Sequence, residues 1–166
     1  MHAAIVAAVD LFRADPGMTG VDIIDGPPFE WNPLRITEQK GDGRRFIFIG
    51  ADPDGEDGDS ATGAQEWGGT GLPRDKDERF TIACVGIIVD GGEDMRACRG
   101  ELFGVLSTLE DVLLAHIDLG DGTGMGNGPV LYSGFAGVER LRQFYTDRGL
   151  TISAQFGIDC RAYLTN

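Results

Sequence analysis

Residues 150 to 164, LTISAQFGIDCRAYL, alternate without a break between two sets of side chains. Leu150, Ile152, Ala154, Phe156, Ile158, Cys160, Ala162 and Leu164 fall on one face of an extended chain, and the polar residues and Gly157 fall on the other. Side chains of a strand alternate with period two, so a one-residue slip would turn the whole apolar set to water; the pattern dictates both a strand and its register. At about 3.3 Å per residue the strand spans about 50 Å. That is longer than a 166-residue globule needs. Part of it is therefore expected to project, with Leu150 to Ala154 reaching outward or across a neighbour and Phe156 to Leu164 anchoring the core.

The rest of the chain supplies the partners. Thr146-Asp147-Arg148-Gly149 suits a tight hairpin turn with glycine in the left-handed region, joining the closing strand to PVLYSGFAGVERLRQFY (129 to 145). Gly134 and Gly137 permit bulges in that strand. In RFTIACVGIIVDG (79 to 91) both faces are apolar, with Phe80, Ile82, Cys84 and Ile88 on one and Ala83, Val85, Ile87 and Val89 on the other, the pattern of a central strand covered on both sides. VDIID (21 to 25) and RFIFIG (45 to 50) read as two further strands. Helices are read over residues 2 to 13, stopped by Asp15-Pro16-Gly17, and after Glu93-Asp94, where apolar residues recur from Met95 to Leu113. Val6, Ala7 and Leu11 widen the first helix's apolar face, so more than one side of it should be covered. The expected fold is α+β, one domain over 1–166 with two main helices on a mostly antiparallel sheet of about five strands and a long C-terminal hairpin. The acidic stretch 51–64 and the glycine-rich stretch 118–128 are expected to be mobile loops.

Composition limits what such a domain does. The 27 acidic against 14 basic residues leave a net charge of −13, which opposes binding to phosphate backbones, where cations must displace counterions. No apolar run reaches the roughly 18 residues of a membrane span, and no basic stretch precedes an apolar one at the N-terminus, so a soluble, cytoplasmically made chain is expected. Cys84, Cys98 and Cys160 are odd in number and sit at core positions, so they read as reduced thiols packed as small hydrophobes. His2 and His116 are the two histidines, few for a zinc site, and His116 is placed at a helix end.

Each chemical motif has a plainer reading. GDGTGMGNG follows a helix rather than a strand and lacks the Gly-Lys-Ser/Thr ending of a phosphate loop, so it reads as a connector. Asp52, Asp54, Glu56, Asp57 and Asp59 offer oxygen ligands, but the sixth position counted from Asp52 is Asp57 rather than the glycine of a calcium loop. They read as an exposed acidic loop. No G-x-S-x-G elbow accompanies either histidine. Neither an enzyme nor a cofactor is expected. Arg140 and Arg142 beside Phe144 and Tyr145 form a basic-aromatic pattern suited to a protein interface.

Taken together, a first helix ending in DPG, then VDIIDGPP, a strand ending in Ile-Gly, an acidic loop followed by QEWGGTG, DERFTIACVG, the long helix, ERLRQFYTDRG and the alternating last strand resemble the tail terminator proteins of long-tailed (siphovirus-type) actinobacteriophages, and more widely the tail-completion and head-tail joining proteins. The resemblance covers nearly the whole chain. It implies a virion protein at the head-proximal end of the tail, a ring, usually a homohexamer, that caps the tail tube protein, ends its polymerisation and meets the head-tail connector or stopper. Rings need heterologous interfaces that close by rotation. Candidates for these are Trp31, Trp67, Arg140, Arg142, Phe144, Tyr145, Leu150 and Ile152. Asp52, Asp54, Glu56, Asp57 and Asp59 are candidates for an acidic lumen through which DNA slides without adhering, with no specific binding. Competing readings are another neck or minor tail protein, a small cytoplasmic enzyme or ligand-binding α/β domain, and an acidic binding module that mimics nucleic acid.

Overall fold

The structure, a computed structural model, describes residues 1–26, 44–51, 61–67, 76–92, 94–120, 128–146 and 149–164. Helix α1 (His2–Ala14) buries Ala4, Ala8, Val9 and Phe12, the stripe that its periodicity predicts. It ends where Asp15 turns extended and accepts a hydrogen bond from the Gly17 amide, opening a short 3₁₀ turn (Pro16–Met18). Strands β1 (Val21–Asp25), β2 (Arg44–Ile49), β3 (Ala61–Trp67) and β4 (Lys76–Asp90) follow. Helix α2 (Met95–Ala115) starts at Asp94, whose carboxylate accepts from the Arg96 and Ala97 amides and so satisfies two donors that a helix start leaves open. His116 caps its other end, as expected. The closing hairpin is β5 (Tyr132–Thr146) and β6 (Gly149–Leu164).

The six strands form one sheet in the order β1-β2-β4-β6-β5, with β3 also paired to β4. Only β1 and β2 pair in parallel; the other neighbours are antiparallel. β4 runs beside β6 over its whole length, from Lys76 opposite Leu164 to Asp90 opposite Leu150. Its other edge is shared end to end, by β3 over Lys76–Ile82 and by β2 over Cys84–Val89. β4 and β5 are thus parallel with β6 between them, and α2 is the crossover that joins them.

Both helices pack on one face. There Phe12, Leu102, Leu106 and Leu109 meet Ile47, Ile82, Cys84, Ile88 and the even-numbered residues of β6 from Leu150 to Ala162 in one core. The opposite face holds a second cluster, Phe46, Phe48, Ala51, Val85, Ile87 and Val89, which contains no helix residue. The two apolar faces of β4 are therefore as its sequence predicts. Arg45 and Glu101 form an ion pair between β2 and α2, and Arg13 donates through Nε and Nη2 to the Ile23 carbonyl, tying α1 to edge strand β1.

Two expectations are corrected. β3 occupies 61–67, so residues 61–64 are paired backbone rather than part of a loop, and the sheet gains a sixth strand. Its sequence, ATGAQEW, shows no apolar alternation. β6 does not project: Leu150, Ile152 and Ala154 are fully buried in the helix-covered core, because a 15-residue β4 runs beside the strand to its start. On the other face Thr151 and Ser153 are buried too. Leu150 and Ile152 are core residues, not interface residues. The hairpin closes at Gly149 (φ 120°), where a side chain would collide with the Asp90 backbone.

The three cysteines are free and buried. Burial pushes the Cys98 thiol up to about 11 and Cys160 up to about 12, from an ordinary value near 9, and raises Cys84 further still. Two outcomes are expected. Ile152→Ala lowers the unfolding free energy of the isolated chain by about 2–5 kcal/mol in chemical denaturation, whereas an interface residue would leave it unchanged. Thiol stabilisation is complete below the unfolded-state value near 9 and is lost as pH rises through 11 and 12, because the unfolded chain gives up these protons first; denaturation midpoints across that range measure it.

Candidate functional site

The arm of the molecule is the distal half of β5. Its ladder with β6 shifts register between Phe135 and Gly137 and again between Val138 and Arg140, so two bulges twist the strand before it reaches the turn. Beyond them Arg140, Arg142 and Phe144 stand opposite Gln155, Ser153 and Thr151, while Tyr145 stands opposite Leu150. Paired residues share a face, so Tyr145 points to the helix side of the sheet and the other three to the reverse side. The expected patch is split. Arg140 and Arg142 are exposed and Phe144 is half-buried, but Tyr145 is 63% exposed at the tip. β5 ends the sheet order, and Leu131 and Tyr132 at its start are also exposed.

A second feature lies toward the other end of β5. An open groove of about 580 Å³ runs between the C-terminal half of α1 and the turn after α2. Ala7, Leu11 and Ala14 recur at helical spacing and, with Leu119, give it an apolar lining; Asp10, Asp15 and His116 supply its polar groups. The widened apolar face of α1 read from Ala7 and Leu11 is thus half-covered core edge and half groove wall.

The turn that shapes this groove is held under strain. Leu119 adopts φ 56°, a left-handed conformation that costs a branched residue about 1–2 kcal/mol, yet it is buried. Its amide donates to the His116 carbonyl at 2.9 Å, and a ring nitrogen of His116, Nδ1, lies 3.2 Å from the Gly120 carbonyl. The buried Asp118 carboxylate accepts from the Gly120 amide at 3.0 Å and from the Gly128 amide at 3.3 Å. A side chain at Gly128 would overlap the Asp118 carbonyl. One carboxylate therefore clamps both ends of the glycine-rich connector, which its composition alone does not reveal. Ser133 donates its amide to the Ile117 carbonyl, joining the turn to the start of β5.

Of the remaining sequence candidates, Trp67 is the last residue of β3, its backbone paired with Lys76. Trp31, Asp52, Asp54, Glu56, Asp57 and Asp59 lie outside the described residues. Among the described residues no group of three or more His, Cys, Asp or Glu is placed to hold a metal ion, and no helix is long and apolar enough to cross a membrane. Sequence reasoning missed the groove and its clamp. The signals were an aspartate flanking a glycine run on the helix side and Ala7-Leu11-Ala14 on the side of α1 away from its main stripe.

No family model matches the chain, and no curated protein matches it in sequence. Among solved structures, its fold is similar to that of a chain from the virion of a native gene transfer agent particle, with a TM-score of 0.52 and 14% identity. The likeness covers 98% of this chain and 96% of the other. At that identity it is a likeness of fold.

Proposed function

We propose that this chain is a structural protein of a phage-type virion, closing into a homohexameric ring at the head-proximal end of a tail tube. There it ends tube polymerisation and joins the tail to the head connector. The observation that carries this reading is the end-to-end fold likeness to a chain of a gene transfer agent virion, which spans both chains almost completely. The segment pattern resembling tail terminators points the same way. On this reading the protein is made in the host cytoplasm and works by binding rather than reaction.

The physical chemistry agrees with an assembly role. Buried, protonated thiols are poor nucleophiles. A sheet cored on both faces and tied together by one long ladder gives a stiff subunit, which keeps the orientation of its two contact surfaces fixed, as ring closure requires. The net charge of −13, repeated around a ring, would repel a DNA backbone and let it pass.

The test is to mix the purified chain with the tube protein of the same particle during polymerisation and view the products by negative-stain electron microscopy. Expected are tubes that stop growing and carry a ring at one end. Tubes of unchanged length with bare ends would overturn the proposal.

A further inference from the structure

β1 stands at one end of the sheet order, and Val21, Ile23 and Ile24 make most of its five residues β-branched. A strand of that kind is a template for pairing with another chain unless something blunts its free side. β5, at the other end, is blunted by its two bulges and by the charges of Glu139, Arg140 and Arg142. β1 has no bulge, because its residues pair with β2 in unbroken register.

The hydrogen bonds fix which groups of β1 face outward. The Gly26 amide donates to the Ile49 carbonyl of β2 at 2.8 Å. Backbone groups of successive strand residues point alternately to either side, so Asp22 and Ile24 face β2 as Gly26 does, and Ile23 turns both its N–H and its C=O to the free side. That outward carbonyl, at the middle of the strand, is the one that Arg13 occupies, with Nε and Nη2 donating to it at 3.1 and 3.0 Å.

We propose that Arg13 is an edge guard, an intramolecular contact that stops a strand of a second copy from pairing with β1. A forked, charged donor outcompetes the single neutral N–H that an incoming strand would bring to the same oxygen. Helix α1 holds it in place. The buried stripe of Ala8, Val9 and Phe12 fixes the helix in the core that also contains Ile23, and Arg13 follows in the last turn, where the negative end of the helix favours a cation. The guard does not depend on the ring reading, since it concerns a contact that the chain avoids.

Sedimentation velocity of the full chain tests it, with Arg13→Ala, Asp25→Pro and the double variant run beside the unmodified chain. Arg13 is exposed, and alanine there preserves the helix. Asp25 is exposed too and, two residues beyond Ile23, also directs its N–H to the free side, so proline there removes an outward donor without breaking a bond to β2. Arg13→Ala is expected to associate into larger species at a concentration at least about tenfold lower than the unmodified chain. Hydrogen exchange at the Ile23 amide should slow in those species, as a strand pairs with it. Asp25→Pro and the double variant are expected to sediment as the unmodified chain does. Arg13→Ala behaving like the unmodified chain would overturn the guard. Large species that persist in the double variant would overturn it as well, since they arise from unfolding or from another surface, and so would large species in which the Ile23 amide gains no protection.

Discussion

The structure hangs on the ladder between β4 and β6. These two strands pair without a register break from Lys76 opposite Leu164 to Asp90 opposite Leu150, and every other element is placed by reference to them. β2 and β3 share the free edge of β4, β5 takes the free edge of β6, and α2 crosses from β4 to β5 over the face where Cys84, Ile88, Ile152 and Ile158 are buried. The ladder is long because buried apolar residues run from Phe80 to Ile88 in β4 and from Leu150 to Ala162 in β6, so neither strand could end within those spans without exposing core. That same length carries the hairpin turn far from the turn that follows α2. A molecule with two distinct ends is the physical precondition for head-to-tail assembly.

Much of this was legible in the sequence, and the failures have physical causes. Strict alternation in β6 and double-faced apolar character in β4 report burial directly, and the structure places those residues as read. Helix limits at Asp15 and Asp94 were legible because capping needs particular side chains. β3 was not, because a strand held at an edge by backbone hydrogen bonds need not alternate. The outward projection of Leu150 and Ile152 was a misreading of length: one strand's excess was judged against a compact globule, without its equally long partner. The arm illustrates a finer limit. Arg140, Arg142, Phe144 and Tyr145 are close in sequence, yet alternation sends Tyr145 to the face opposite the others, and which face each takes depends on the two bulges that precede them. The groove was illegible because its polar clamp joins Asp118 to Gly128 across a connector, and sequence proximity does not report hydrogen bonds.

An assembly role accounts for features that folding alone leaves unexplained. A buried leucine in a left-handed turn, an exposed tyrosine near the hairpin end and a half-covered helix flank each cost stability or solubility in a monomer. Under the proposed assembly role, the strong negative charge would disfavour indiscriminate association and leave specific contacts to decide partners.

The central claim is that this chain acts by closing on copies of itself. Native mass spectrometry of the purified chain over a range of concentrations and at moderate salt tests it most directly. A single closed oligomer in equilibrium with monomer, with no open-ended series between them, is the predicted spectrum. A monomer at every concentration, or an unbounded series of chain lengths, would contradict it.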